Sequence, residues 1–445
     1  MKHFLFLLIL IISLSAAIPS IAGFTNFAAD SSMVLIDSQS SKAQGDSLSQ
    51  KAVADTIAVV SNFVYPIPPE RKEMLISYSK LNNRWRFIDF FVTVGILLVA
   101  LYTGPSARFR NWAKEIAKKE FLAILLYFVF LLLFLFVLDF PFDYYRNFVI
   151  EHKYGFSNQT FGAWFGENLK SMAVTFVFVL PVLWILYWLI NRFKKWWLYF
   201  AIGAIPFMIF VILIVPVVVA PLFNKFEPVK DQTVAKEMIA LAEKAGIHNP
   251  DIFEVDASKQ SNKINAYFTG LFGTKRIVLY DTIIKNFSIA ELKFVMGHEM
   301  KHFLKNHIWY GLFIALIMIF IAGYLIDRIL PGLITKYAHR LGFSGLGDIA
   351  GLPLLILFVT IFGFIIQPVN NGVSRYFEYQ ADKYGLELSG VTGDEAAVAF
   401  DKLSVFNLSD PEPPAIIEFW FYDHPSLKKR MDNIRRLYAQ SHGGV

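Results

Sequence analysis

The chain of 445 residues is 55% hydrophobic, 16% aromatic and only 18% charged, with a mean hydropathy of +0.47; this balance excludes an ordinary soluble domain and implies a polytopic membrane protein. The net charge of +6 would suit a nucleic-acid partner, but Lys and Arg gather at the ends of apolar runs, where they anchor helices and set orientation, so the expected partner is the lipid bilayer and not nucleic acid. With no cysteine there is no disulfide framework, no thiolate zinc site and no cysteine nucleophile, which leaves His and carboxylates for any metal.

Residues 1–23, MKHFLFLLILIISLSAAIPSIAG, set Lys2 and His3 before an apolar run and then small residues, the pattern of a secretory signal peptide, with an uncleaved first transmembrane helix as the alternative. Residues 24–86 read as a polar linker and pre-membrane segment; as far as Ala58 they are rich in Ser, Asp, Gln and Ala and lack an apolar period. Apolar runs near 87–103, 121–140, 172–190 and 197–221 make a four-helix membrane region over 87–221, and two more near 308–330 and 349–369 fill 308–369. Each approaches or exceeds the roughly 20 residues that cross about 30 Å of hydrocarbon.

Between the two membrane regions, residues 222–307 read as a small α+β domain. DQTVAKEMIALAEKAG places Val234, Met238, Ile239, Leu241 and Ala242 on one helical face and ends at Gly246. DIFEVD is a short strand, and INAYFTGLFGTKRIVLYDT gives two strands across a Gly-containing connection. Ser288 and Glu291 form a capping box that opens a helix through GHEMKH. The last polar region, 370–445, begins with NNGVSRYFEYQADKYG, a helix leaving the membrane to pack on the first polar domain.

On that first helix His298 and His302, four apart, share one face and can address one ion. Glu299 lies about 100° around from His298, placed to hold a water without ligating the metal. This is the zincin pattern, in which zinc acidifies a water and the glutamate takes its proton. The competing reading is a polar, snorkelling helix end before the span at 308. A metzincin is excluded, since it would need Gly at Lys305 and His one position beyond His307. Candidates for a third ligand are Glu378, Asp382, His307, His339 and His424. Glu378 is favoured because EYQAD sets Glu378 and Asp382 on one helical face, one for the metal and one to orient an imidazole. His307, counted about 140° beyond His302 at 100° per residue, is expected to face away, and His339 to lie on the surface of a short basic loop.

The stretches DYYRNFVIEHKYGF, APLFNKFEPV, SNKINAYFTG, KRIVLYDT, GHEMKH, SRYFEYQAD and DHPSLKKR, in this order from about Phe140 to Arg430, make the chain similar to the type I CAAX prenyl proteases, membrane zinc metallopeptidases of the gluzincin class. The resemblance implies one Zn2+ per chain on His298, His302 and Glu378, with Glu299 as base and Asp382 behind the ligands. It implies that Asn265, Ala266 and Tyr267 pair with an extended peptide or protein substrate, that His424 stabilises the oxyanion and that Arg430 supports it. The implied fold is an α-helical polytopic membrane protein, a ring of six or seven transmembrane helices enclosing a chamber, with a small α+β zincin-type domain completed by 370–445. The chain departs from the prenyl-processing members at Lys263, where those commonly carry His, and before Ala58, so the expected substrates are membrane-associated proteins or peptides, in quality control or C-terminal processing.

A transporter would require ionisable residues within the spans, which are almost free of them; a silent scaffold of the same fold would lack Glu299. The expected location is a bacterial inner (cytoplasmic) membrane. The basic connections 104–120, 191–196 and 328–348 fall on one face of the six-span arrangement, opposite the polar domain, which favours that domain outside the cytoplasm, whereas the resemblance to the eukaryotic members implies the cytosolic side; both sides stay open.

Overall fold

The computed structural model describes residues 67–270 and 274–442. The expected signal peptide or first helix at 1–23 and the linker to residue 66 lie outside the described residues. Six described helices are long and apolar enough to cross a membrane.

Helix α1 (Pro69–Tyr102) opens on Pro69, whose missing N–H costs nothing at that position. It is far longer than the apolar run from residue 87. Its polar first half is helical because Leu75, Tyr78 and Trp85 are buried against Ile150, Tyr154, Phe156 and Leu408, and Arg71 Nη2 donates to Val405 O at 3.0 Å. A short helix α2 (Pro105–Ile116) leads to α3 (Glu120–Tyr144), which continues past Pro141 through a π-widened stretch, Tyr145–Ile150, to Lys153. Then come α4 (Phe161–Arg192), whose Thr160 cap accepts from Ala163 N, and α5 (Trp196–Ile214), which unwinds beyond Ile214 through a π stretch holding Pro216 and a 3₁₀ turn holding Pro221.

The polar domain has strands β1 (Phe226–Pro228), β2 (Asp251–Val255), β3 (Ala266–Thr269) and β4 (Arg276–Tyr280) in the order β1-β2-β4-β3. β2 and β4 are parallel and the outer pairs antiparallel, with Tyr267 opposite Val278. Helices α6 (Gln232–Lys244), α7 (Asp281–Asn286) and α8 (Ile289–Leu304) accompany the sheet. The chain re-enters the membrane by α9 (His307–Leu341) and returns by α10 (Leu352–Ser389), one unbroken helix that carries the apolar run 352–369 into the polar domain. Helices α11 (Gly393–Phe406), α12 (Ala415–Phe421) and α13 (Leu427–His442) complete it. One core joins α1, α3, α4, α9 and α10 within the membrane region; a second, around Met238, Ile277, Leu292, Met300, Ala396 and Ile434, joins the sheet to α6, α8, α11 and α13.

The long helices carry more charge than their apolar runs suggest. Asp89 of α1 pairs with Arg146 after α3, and Asp139 is buried in α3 itself. At the end of the bundle away from the sheet the three basic connections meet. Ser106 Oγ donates to Ala350 O (2.7 Å), Asn191 Nδ2 donates to Gly347 O (3.2 Å), and Arg110 bonds Gly342 O and Asp348.

Candidate metal and active site

The site is built where α8 crosses α10. Ser288 and Glu291 cap each other's backbone N–H at the start of α8, so the helix that carries His298 starts at a fixed point. At the crossing Gly297 meets Gly385: a Cβ on Gly385 would lie 3.0 Å from both His298 N and Phe294 O, and one on Gly297 would lie 3.2 Å from Gly385 Cα. The two glycines permit a backbone approach that side chains would prevent.

That approach brings His298, His302 and Glu378 together. His298 Nε2 and His302 Nε2 are 3.2 Å apart, and each is 3.3 Å from an oxygen of Glu378. Glu378 is 0% exposed and neither of its carboxylate oxygens has a hydrogen-bond partner. Arg430 Nη2 and His424 Nε2 also lie 3.4 Å from Oε2, and a buried carboxylate that makes no close hydrogen bond is costly unless a cation serves it. Two imidazole nitrogens and one carboxylate are also the donor set of a catalytic divalent zinc site with an open position. The residues therefore fit a metal ion, and among the described residues they form the one His and carboxylate group able to hold it.

Each imidazole is held from behind. His298 Nδ1 lies 2.8 Å from Asp382 Oδ1, and Arg430 donates to Asp382 through Nε (2.9 Å) and Nη2 (2.5 Å). Arg430 is thus engaged with Asp382, its guanidinium lies over Phe400 at 4.4 Å, and it lines the same cavity as His424. Burial opposes a charge on His298, but the Glu378 carboxylate and the Asp382 hydrogen bond outweigh it and push its pKa up to about 10 in the metal-free site.

His307 corrects the sequence reading. It is buried, its Nδ1 lies 2.9 Å from His302 Nδ1, and its ring stacks on Phe377 at 4.2 Å. The angular count failed because α8 ends at Leu304 and Asn306 adopts left-handed backbone (φ 55°), so α9 restarts in a new direction. His339 is exposed near the end of α9, which runs on to Leu341 where a loop was expected.

Glu299 Oε1 is 4.0 Å from His298 Nε2. It lines a cavity of about 360 Å³ together with Asn265, Ala266, Tyr267 and His424. His424 Nε2 lies 3.4 Å from Glu378 Oε2, and its Nδ1 is bonded to Asp423 Oδ1 at 2.8 Å. β3 is the last strand of the sheet, and no strand covers its outer edge among the described residues. The approach to β3 is fixed by Lys263 together with residues that sequence reasoning did not single out. Tyr78 Oη donates to Glu151 Oε1 (2.7 Å), Lys263 Nζ donates to Tyr78 Oη (3.0 Å), and Asn407 bonds both Ile264 N and Ile264 O. Glu151 lay inside DYYRNFVIEHKYGF and Lys263 inside SNKINAYFTG, whereas Tyr78 and Asn407 lay in none of the quoted stretches.

Residues 228–438 match peptidase family M48, and residues 54–225 match the CAAX prenyl protease N-terminal region of five membrane helices. An uncharacterized metalloprotease, YhfN, of Bacillus subtilis is 33% identical over 88% of this chain and 91% of its own. CAAX prenyl protease 1 of Saccharomyces cerevisiae is 32% identical over 66% of this chain and 68% of its own. The crystal structure of S. mikatae Ste24p superposes with a TM-score of 0.73 at 25% identity, covering 87% of this chain and 96% of that one. With two imidazoles, a carboxylate and an adjacent glutamate gathered under a six-span membrane region, the chain belongs to peptidase family M48 and is a multi-pass membrane metalloendopeptidase.

Proposed function

We propose that the chain hydrolyses peptide bonds of extended, membrane-associated polypeptides with one zinc ion held by His298, His302 and Glu378. The observation that carries this reading is the fully buried Glu378 carboxylate, which makes no close hydrogen bond and faces two imidazole nitrogens, each 3.3 Å away. Zinc supplies Lewis acidity toward the scissile carbonyl and makes water nucleophilic near neutral pH. The chain's own residues do the rest. Glu299 accepts the proton of the attacking water and delivers it to the leaving nitrogen. Asp382, held by Arg430, keeps the proton of His298 on Nδ1 so that the Nε2 lone pair faces inward; His307 acts likewise on His302. His424, oriented by Asp423, donates to the developing oxyanion. The open edge of β3, from Asn265 to Tyr267, takes the substrate as an added strand.

The name of the yeast relative brings a prenylated C-terminus as a narrower substrate class. Lys263, held by Tyr78 beside Glu151 where prenyl-processing members commonly carry His, favours the broader class of membrane-associated proteins, in quality control or C-terminal processing. The test uses purified full-length protein, metal analysis and quenched fluorescent peptides. One zinc per chain, with cleavage lost to a chelator and restored by zinc, is the expected result; undiminished cleavage by zinc-free protein would overturn it.

A further inference from the structure

The segment that leads to His424 is bonded to a membrane helix at an unusual depth. Pro368 of α10 has no N–H to give to Phe364 O, the carbonyl four residues before it, and Trp420 Nε1 of α12 donates to that oxygen at 3.1 Å instead. Asn371 Nδ2 donates to Trp420 O (2.7 Å), and Arg375 Nη1 donates to Tyr422 O (2.6 Å) and to Glu418 O (3.1 Å), which also accepts from Tyr422 N, so side chains of α10 bond the carbonyls at the end of α12. Phe421 packs edge-on against Phe87 of α1 at 4.8 Å. Phe364 lies inside the apolar run 352–369, about 7.5 Å from its end at Val369 by helical rise.

Successive residues of a helix lie about 100° apart, so Phe364, Asn371 and Arg375 form one stripe of α10. Ile361, Ile365 and Val369, all exposed, form the stripe beside it, on the outer side of a span. α12 continues that apolar surface: Ile416 is 61% exposed and Phe419 51%, against 64% for Ile365. The single charged side chain of α12, Glu418, is turned inward, where Lys429 Nζ (2.8 Å) and Ser426 N (3.2 Å) serve its carboxylate. Pro411, Pro413 and Pro414 remove three N–H donors from the approach, which lowers the cost of carrying this backbone out of water.

We propose that α12 is embedded in the bilayer, with Ile416 and Phe419 in contact with lipid acyl chains, so that the segment carrying His424 is anchored in lipid as well as on α1 and α10. The surface is continuous with the exposed apolar stripe of α10, and Trp420 is of a residue type enriched at the membrane boundary. Because the chain has no cysteine, Ile416→Cys and Phe419→Cys can each carry a single nitroxide in the full-length protein in phospholipid vesicles. Both positions are exposed, so the fold should tolerate the label. Ile365→Cys on the span and Asp394→Cys on the exposed surface of the polar domain are the references. Labels at 416 and 419 should match 365, open to molecular oxygen and closed to a water-soluble nickel chelate. Labels that match 394 would show the face to be wet and overturn the proposal. Labels closed to both reagents would overturn it in favour of a protein cover, such as a second copy of the chain.

Discussion

Glu299 stands 4.0 Å from His298 Nε2 without belonging to the group that can hold the metal, and this separates its effect from theirs. Glu299→Gln is expected to lower turnover by roughly 10²–10⁴-fold while zinc content and thermal stability stay unchanged; a variant keeping more than about a tenth of the activity would refute the role. Glu378→Ala is expected to lose the metal, because three protein ligands are the usual minimum at such a site. His307→Leu should weaken zinc binding about 10–100-fold, and His307→Gln, whose amide oxygen can accept from His302 Nδ1, should recover most of it. Equal affinities in a competing-chelator titration for wild type and His307→Leu would leave His307 only a packing role against Phe377. The raised pKa of His298, about 10 without metal, means that a proton occupies this imidazole at neutral pH and must leave when zinc binds. Affinity should therefore rise with pH up to about 10 and weaken below it, with roughly one proton released per zinc at pH 7. Calorimetry in buffers of different ionisation enthalpy reads this directly, and an uptake or absence of protons would contradict it. The HExxH spacing and the EYQAD pair were legible because each lies within one unbroken helix, where angular counting holds. His307 was not, because the count crossed the break at Asn306.

The crossing of α8 and α10 is the element on which this geometry rests. Gly385→Ala would set a Cβ 3.0 Å from backbone atoms of His298 and Phe294, and backbone cannot swing aside as a side chain can. Metal sites tolerate displacements of only about 0.2 Å. Gly385→Ala should therefore lower zinc affinity although it touches no ligand, whereas Gly390→Ala, beyond the crossing at the end of α10, should leave affinity intact even if it costs stability through its left-handed backbone. Equal affinity in Gly385→Ala would mean that the helices can part without moving the ligands. The apolar runs, the capping box at Ser288 and the strands either side of residues 271–273 were all readable from local chemistry. The first half of α1 was not, since its helix is held by tertiary burial of Leu75 and Tyr78. α12 was also hidden, because the bonds that fix it on the membrane helix are made to residues distant in sequence, Phe364, Asn371 and Arg375.

At the scale of the whole molecule, the three basic connections meet at one end of the helix bundle and the polar domain occupies the other, as α3, α4, α5, α9 and α10 alternate in direction. Lys and Arg in short loops favour the cytoplasmic side, and on that ground we propose that the active site lies outside the cytoplasm; Arg146, Lys153 and Lys170 at the opposite end reduce the bias. Alkaline phosphatase fused after Val445 should be active, and bright fluorescence from a green fluorescent protein at the same point would return the domain to the cytoplasm. The site also takes its two halves from either side of the hairpin made by α9 and α10: His298 and His302 precede the excursion through the membrane, and Glu378 and Asp382 follow it. During synthesis the histidines are thus made long before the carboxylate that completes their metal group. On the proposed ligand set, a chain halted before α10 has inserted holds two imidazoles and no third ligand, and is expected to be inert. Insertion of the hairpin is therefore the step that completes the proposed metal group.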